Sequence, residues 1–208
     1  MNFLNWFVHT NKGIKEVQVP TSWVGVTLKQ YARLVTEWNG TDLVQLFSIL
    51  SGLSVKALNE TVDPELYDSL EISTRFIYEP DPVFKKAEKP KRITVAGRTL
   101  DVPANLNGLT IGQSIMVRQA IDSAKNYEEV MALALACYFQ PKYDNTTEFN
   151  STRALELLPE FENVSVVEGY ACAFFLLKKL NHRGQSIGNK LNLLITRLFK
   201  ASSQREPT

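Results

Sequence analysis

Val19-Pro20-Thr21-Ser22-Trp23-Val24-Gly25-Val26-Thr27-Leu28-Lys29-Gln30 decides the fold of this chain, because a version of it occurs twice. Shifted by 83 residues, it lies over Val102-Pro103-Ala104-Asn105-Leu106-Asn107-Gly108-Leu109-Thr110-Ile111-Gly112-Gln113. Val, Pro, Gly, Thr and Gln match outright, and Val26/Leu109 and Leu28/Ile111 match in kind. A run of this length at one fixed offset marks an internal repeat. Thr27-x-x-Gln30 and Thr110-x-x-Gln113 both read as capping boxes, in which a hydroxyl and an amide satisfy the unpaired amides of a first helical turn. Each stretch therefore predicts a helix that starts just after its threonine. Leu28, Tyr31, Ala32, Val35 and Trp38 continue the first at helical spacing, and Ile111, Ile115, Arg118 and Ile121 continue the second less cleanly. Capping accounts for Thr27 and Gln30 without a binding site.

The repeat extends in both directions. Upstream, Phe7 to Val19 reads as two strands around Asn11-Lys12-Gly13, and Arg92 to Val102 as two strands around Ala96-Gly97. Downstream, Leu43, Leu46, Phe47 and Leu50 form one apolar stripe. Val130, Leu133, Ala134 and Cys137 form its counterpart at an offset of 87, so the loop between the two helices is four residues longer in the second copy. Asp42-x-x-Gln45 and Asn126-x-x-Glu129 supply caps for these second helices. The unit is thus hairpin, helix, helix.

The first copy adds a third helix, opened by Asp63 as cap and Pro64 in its first turn. The second adds a short helix near Thr152 to Leu158, ended by Pro159, and a long one from a capping box at Ser165-x-x-Glu168 through Leu180. A final amphipathic helix carries Ile187, Leu191, Leu194, Ile195 and Leu198 on one face, set off by Gly184 and Gly188. The expected fold is α+β, mainly α: two duplicated hairpin-plus-helices units with an extra C-terminal helix. The divisions are 1–78 for the first unit, 79–91 for an extended linker rich in proline and charge, 92–183 for the second unit, and 184–208 for the basic helix and tail. Tyr31, Val35, Leu46, Leu50, Leu133, Cys137, Phe174 and Leu177 are the expected core.

A chain of 208 residues, 44% of them hydrophobic, can bury a real core in one domain or two small ones. Its net charge of +1 hides an asymmetry. Residues 1–177 carry 16 Lys+Arg against 21 Asp+Glu, whereas residues 178–208 carry 7 against 1, so a basic end follows an acidic body. Cys137 and Cys172 sit in apolar stretches and read as small buried hydrophobes. The first ten residues lack the basic and apolar regions of a signal peptide, and no stretch reaches the roughly 18 apolar residues of a membrane span. A soluble chain is expected. Five Asn-x-Ser/Thr triplets, at Asn39, Asn59, Asn145, Asn150 and Asn163, read as caps and turns rather than glycosylation sites.

Chemistry finds little support. Gly184-Gln185-Ser186-Ile187-Gly188 fits the Gly-x-Ser-x-Gly elbow, but a helix rather than a strand precedes it, no His follows Ser186, and His182 lies on the wrong side. Two His and two Cys at unrelated spacings do not assemble a zinc site, and there is no phosphate loop or dinucleotide fingerprint. No catalytic, metal or cofactor-binding residue is assigned, and no enzyme is expected. The basic end has several readings: a packed terminal helix with a solvated face, then a helix in a protein partner's groove, then a phosphate-contacting segment, then a membrane-surface helix. Lys190, Leu194, Arg197, Leu198 and Lys200 are the candidate partner-binding residues.

The pattern Val-Pro-x-x-Trp-x-x-Val-Thr-Leu-x-Gln-Tyr at 19–31, followed by Leu46-Phe47-Ser48-Ile49-Leu50-Ser51-Gly52-Leu53-Ser54, resembles small proteins of the structural gene blocks of tailed bacteriophages. Those of phages infecting Bacteroidota, the crAss-like group above all, are most similar. Leu109-Thr110-x-Gly112-Gln113, Ala136-x-Tyr138-Phe139-x-Pro141-x-Tyr143, Arg153-Ala154 and Phe174-Phe175 carry the resemblance through the second half. It implies a non-enzymatic virion protein of the neck or tail, made in the host cytoplasm, that forms a cyclic homo-oligomer as a ring or connector component and contacts portal or other neck and tail proteins. A tail-assembly chaperone absent from the mature virion is the alternative it leaves. A nucleic-acid-binding module using the basic end is a further one, from the charge pattern alone. The resemblance carries over no catalytic residues.

Overall fold

The computed structural model describes residues 3–10, 13–60, 64–79, 90–103 and 109–182. Strand β1 (Phe3–Thr10) pairs antiparallel with β2 (Gly13–Pro20), in a register that sets Leu4 opposite Val19, Trp6 opposite Val17 and Val8 opposite Lys15. Trp6, Val8, Val17 and Val19 are buried, whereas Phe3, Phe7 and Ile14 are exposed, as the two-residue alternation of a strand requires. Strand β3 (Arg92–Val95) pairs with β4 (Arg98–Asp101). The turn between them, Ala96-Gly97, has positive φ at both residues, 47° and 76°, the backbone that matches the twist of a tight hairpin. Glycine adopts it freely and alanine does not.

The helices follow in the order α1 (Leu28–Thr36), α2 (Leu43–Ser51), α3 (Val55–Asn59), α4 (Pro64–Thr74), α5 (Ile111–Ser123), α6 (Glu128–Tyr143), α7 (Ser151–Glu156), α8 (Leu158–Glu162) and α9 (Val166–His182), among the described residues. Short 3₁₀ turns stand at Trp23–Gly25 and Arg75–Tyr78. The fold is α+β and mainly α. The chain divides into two compact units, Met1–Asp81 with Ser165–Val167, and Pro82–Val164 with Glu168–Thr208.

Each unit is built in the same way. Thr27 and Thr110 cap α1 and α5, and both capping boxes are complete: each threonine Oγ1 accepts from its glutamine N–H, and each glutamine Oε1 accepts from its threonine N–H. The capped helix lies against the next one, α1 on α2 and α5 on α6, and that second helix packs on the second strand of its hairpin, β2 or β4. A two-stranded ribbon alone is marginal in water, so this packing is what makes each hairpin stable. Asp42 caps α2 by accepting from Gln45 N–H, and α2 stops at Gly52, whose φ of 71° is the left-handed conformation of a helix end. Asn126 Oδ1 accepts from Glu129 N–H, while Glu129 reaches back to Lys125 N–H, so this cap spans one residue more than expected.

The core departs from expectation at three positions. Tyr31, Leu46, Leu50, Cys137 and Leu177 are buried, but Val35 is 42% exposed and Leu133 and Phe174 are half-buried. The last turn of α1 is covered on the side of Leu34 and Trp38, where the Trp38 indole donates to the Asp42 carbonyl and its ring meets Tyr78 edge-on. Helix α6 is enclosed on most sides, with Val130, Met131, Ala134, Leu135, Ala136 and Phe139 all buried. One apolar stripe therefore understates its interior face, and Leu135 holds the central place expected of Leu133. Phe174 lies stacked on Tyr170, with ring centroids 6.5 Å apart.

Two helix ends also differ. Pro159 does not terminate the helix before it but stands in the first turn of α8, where its missing N–H is no loss. At the start of α9, Ser165 Oγ donates to the Val24 carbonyl and Glu168 accepts from Thr94 N–H, so these side chains serve other segments. Asp63, the linker residues 80–89 and the segment 183–208, with its expected helix, lie outside the described residues.

Candidate functional site

The partner-binding candidates Lys190, Leu194, Arg197, Leu198 and Lys200 lie outside the described residues, as does the Gly184–Gly188 elbow motif. What the structure does place are apolar and polar surfaces that composition alone could not locate. The outer face of the first hairpin presents Phe7 and Ile14, 62% and 65% exposed, beside Phe3, Asn5, Glu16 and Gln18. Among the described residues neither strand of this hairpin pairs with a third. Exposed apolar side chains on an unpaired ribbon are a liability that a protein keeps when something covers them.

A second apolar surface lies on α5. Ile111 is 81% exposed and Ile115 half exposed, one turn apart on the same face. Of the helically spaced series Ile111, Ile115, Arg118 and Ile121, only Ile121 is buried, and it shares the core face with Gln113 and Val117. Gln113 is buried because it is both the capping-box residue and a donor to the Cys137 carbonyl.

An open, polar hollow of about 800 Å³ lies at the loop that joins α6 to α7. Its side chains are engaged with one another. Gln140, buried in α6, accepts from Asn150 N–H and donates to Asp144, and Arg153 donates to both Asp144 oxygens and to Glu156. The Gln140 amide and then the Arg153 guanidinium hold the Asp144 carboxyl below its usual range. Asn150 caps α7 through Arg153 N–H. A carboxylate so held is a poor base, and the cluster acts as a clasp for the loop. Beside it, the Arg98 guanidinium sits 4.7 Å over the Tyr143 ring and donates to the Tyr143 carbonyl, pinning hairpin β3–β4 to the end of α6.

Neither cysteine is placed for chemistry. Cys137 and Cys172 are buried thiols that no disulfide joins, and burial pushes Cys137 up to about 12, far from the thiolate a nucleophile needs. Glu128, at the start of α6, is a buried carboxyl raised by desolvation; it and its own burial push Tyr170 up to about 12, burial being the larger cause. Among the described residues no group of three His, Cys, Asp or Glu is gathered that would hold a metal ion, and no helix is long and apolar enough to cross a membrane.

No protein-family model, no curated protein and no solved structure matches this chain.

Proposed function

We propose that this chain is a non-enzymatic virion protein of a tailed bacteriophage, a ring or connector component of the neck or tail that assembles into a cyclic homo-oligomer. The observation that carries the reading is the outer face of the first hairpin, where Phe3, Phe7 and Ile14 are exposed on a ribbon that, among the described residues, pairs with no third strand. A closed ring needs a heterologous contact, in which one patch of each subunit meets a different patch of the next. The hairpin face in one unit and the Ile111–Ile115 surface in the other are two unlike apolar patches, each suited to such a contact with a different surface of the next copy. The resemblance of residues 19–31, 46–54, 109–113 and 136–143 to phage structural proteins supplies the setting.

Mass analysis of purified virions tests the reading. The chain is expected at several copies per particle. Its absence from virions, with presence in infected cells, would reject the structural reading and favour an assembly chaperone.

A further inference from the structure

Unit 1 shows what the repeated helix start is shaped to receive. Val166 N–H donates to the Val26 carbonyl at 2.8 Å, Ser165 Oγ donates to the Val24 carbonyl at 2.8 Å, and Thr27 and Ser165 form an isolated antiparallel bridge. Val26 and Val166 are fully buried, and Leu28 is 2% exposed. The extended Ser-Val segment thus adds to the backbone just ahead of α1 as a short strand would.

The counterpart in unit 2, Leu109-Thr110-Ile111, has the same capped helix and the same glutamine bond, yet no such bridge among the described residues. Leu109 is half-buried, Thr110 exposed, and Ile111 is 81% exposed where Leu28 is closed in. From Ile111 the surface runs on along α5 as a shallow groove of about 430 Å³ lined by Gly112, Ile115, Met116, Gln119, Phe149 and Ser151. Gly112 stands where the first copy has Lys29, and a Cβ there would lie 3.3 Å from the Phe149 ring, so this departure from the repeat lets Phe149 form the groove wall.

We propose that this surface at the start of α5 receives the basic apolar segment 186–198 of a second copy of the chain. Three features select that occupant. The Ser165-Val166 pair seated in unit 1 is echoed by Ser186-Ile187 at the head of that segment. Ile187, Leu191, Leu194, Ile195 and Leu198 follow at the spacing of a helix that lays one apolar face into a groove. The segment and the body it would meet differ in charge, around a groove whose own lining is uncharged: residues 109–177 carry 4 Lys+Arg against 9 Asp+Glu, and residues 178–208 carry 7 against 1. Each copy gives its segment to one neighbour and receives another's, which is the head-to-tail contact a ring requires. The inference rests on reading the chain as a self-assembling subunit.

Two full-length variants test it: Ile111→Asp, which spoils the groove, and Leu194→Asp with Leu198→Asp, which spoils the segment. Light scattering is expected to show a closed oligomer for the wild type and, for either variant, subunit contacts weakened at least about tenfold, since each loses a buried aliphatic anchor. An equimolar mixture should recover pairs and stop there, because one variant keeps a working segment and the other a working groove. An unchanged melting temperature for Ile111→Asp separates lost contact from misfolding. Wild-type assembly by Ile111→Asp would overturn this contact and leave the ring reading standing. A mixture that stays monomeric would overturn it as well, and a monomeric wild type would overturn both.

Discussion

The side-chain amide of Gln113 donates to the carbonyl of Cys137 at 2.7 Å. Four residues beyond Cys137 stands Pro141, inside α6, with no N–H to give that carbonyl. Gln113 supplies the missing donor from the neighbouring helix. Gln30 does the same in unit 1, donating at 2.7 Å to the carbonyl of Leu50, which lies in the last turn of α2 where intrahelical donors run out. The donors are 83 residues apart and the acceptors 87, the two offsets at which the sequence repeats. One glutamine in each copy therefore caps its own helix and satisfies an orphaned carbonyl on the next.

Gln113→Leu should destabilise unit 2 by about 1–3 kcal/mol, the cost of a buried carbonyl left without a donor. In a Pro141→Ala background the helix supplies its own N–H, and the same change should cost clearly less. Chemical denaturation of the four proteins of that cycle measures the difference. Equal losses in both backgrounds would contradict the role given to Gln113.

Much of this was legible in the sequence, because a capping box is a local device. Thr27 and Thr110 each fix a helix start with residues three apart, and Ala96-Gly97 fixes a hairpin in the same local way. The partner of each glutamine was not legible, since the Gln113–Cys137 bond spans 24 residues and depends on how two helices pack. The same limit explains Val35: spacing places it beside Tyr31, but what covers the last turn of α1 comes from Trp38 and Tyr78. Ser165 looked like a cap and serves Val24 instead, a contact 141 residues apart that no local pattern encodes. The candidate partner-binding residues were read from charge and apolar spacing alone and lie outside the described residues, and the exposure of Ile111 and Ile115 on α5 was not legible because spacing does not say which face a neighbour covers.

The revised core makes a graded prediction. Leu50→Ala and Leu135→Ala, both at fully buried positions, should each cost about 2–5 kcal/mol. Val35→Ala, at an exposed one, should cost well under 1 kcal/mol, about what a surface change costs. Urea midpoints read the order, and a Val35→Ala loss as large as that of Leu50→Ala would contradict the placement of α1.

Glu128 predicts a pH dependence. Its folded-state pKa is raised above 4.5 by burial, so the neutral form is favoured in the folded protein. The stability tied to it is fully present below 4.5 and is lost as pH rises through the raised folded value. Relative to Glu128→Gln, which carries no charge to desolvate, the wild type should lose stability between pH 4 and pH 7. Parallel stability curves for the two proteins would show that the carboxyl reaches solvent.

The turn of the second hairpin is improvable. Ala96 holds a φ of 47° without the local side-chain bonding that lets asparagine rest there. Ala96→Asn should raise stability by up to about 1 kcal/mol, and Gly97→Val should lower it by more. Thermal melts that rank the three proteins otherwise would contradict the turn geometry.

Imaging of intact virions at a resolution that traces side chains tests the central claim most directly. The account predicts repeated copies of this chain around the axis of the neck or tail, each with Ile111 and Ile115 covered by the basic segment of the next copy. Virions whose neck and tail are fully traced without this chain would contradict it.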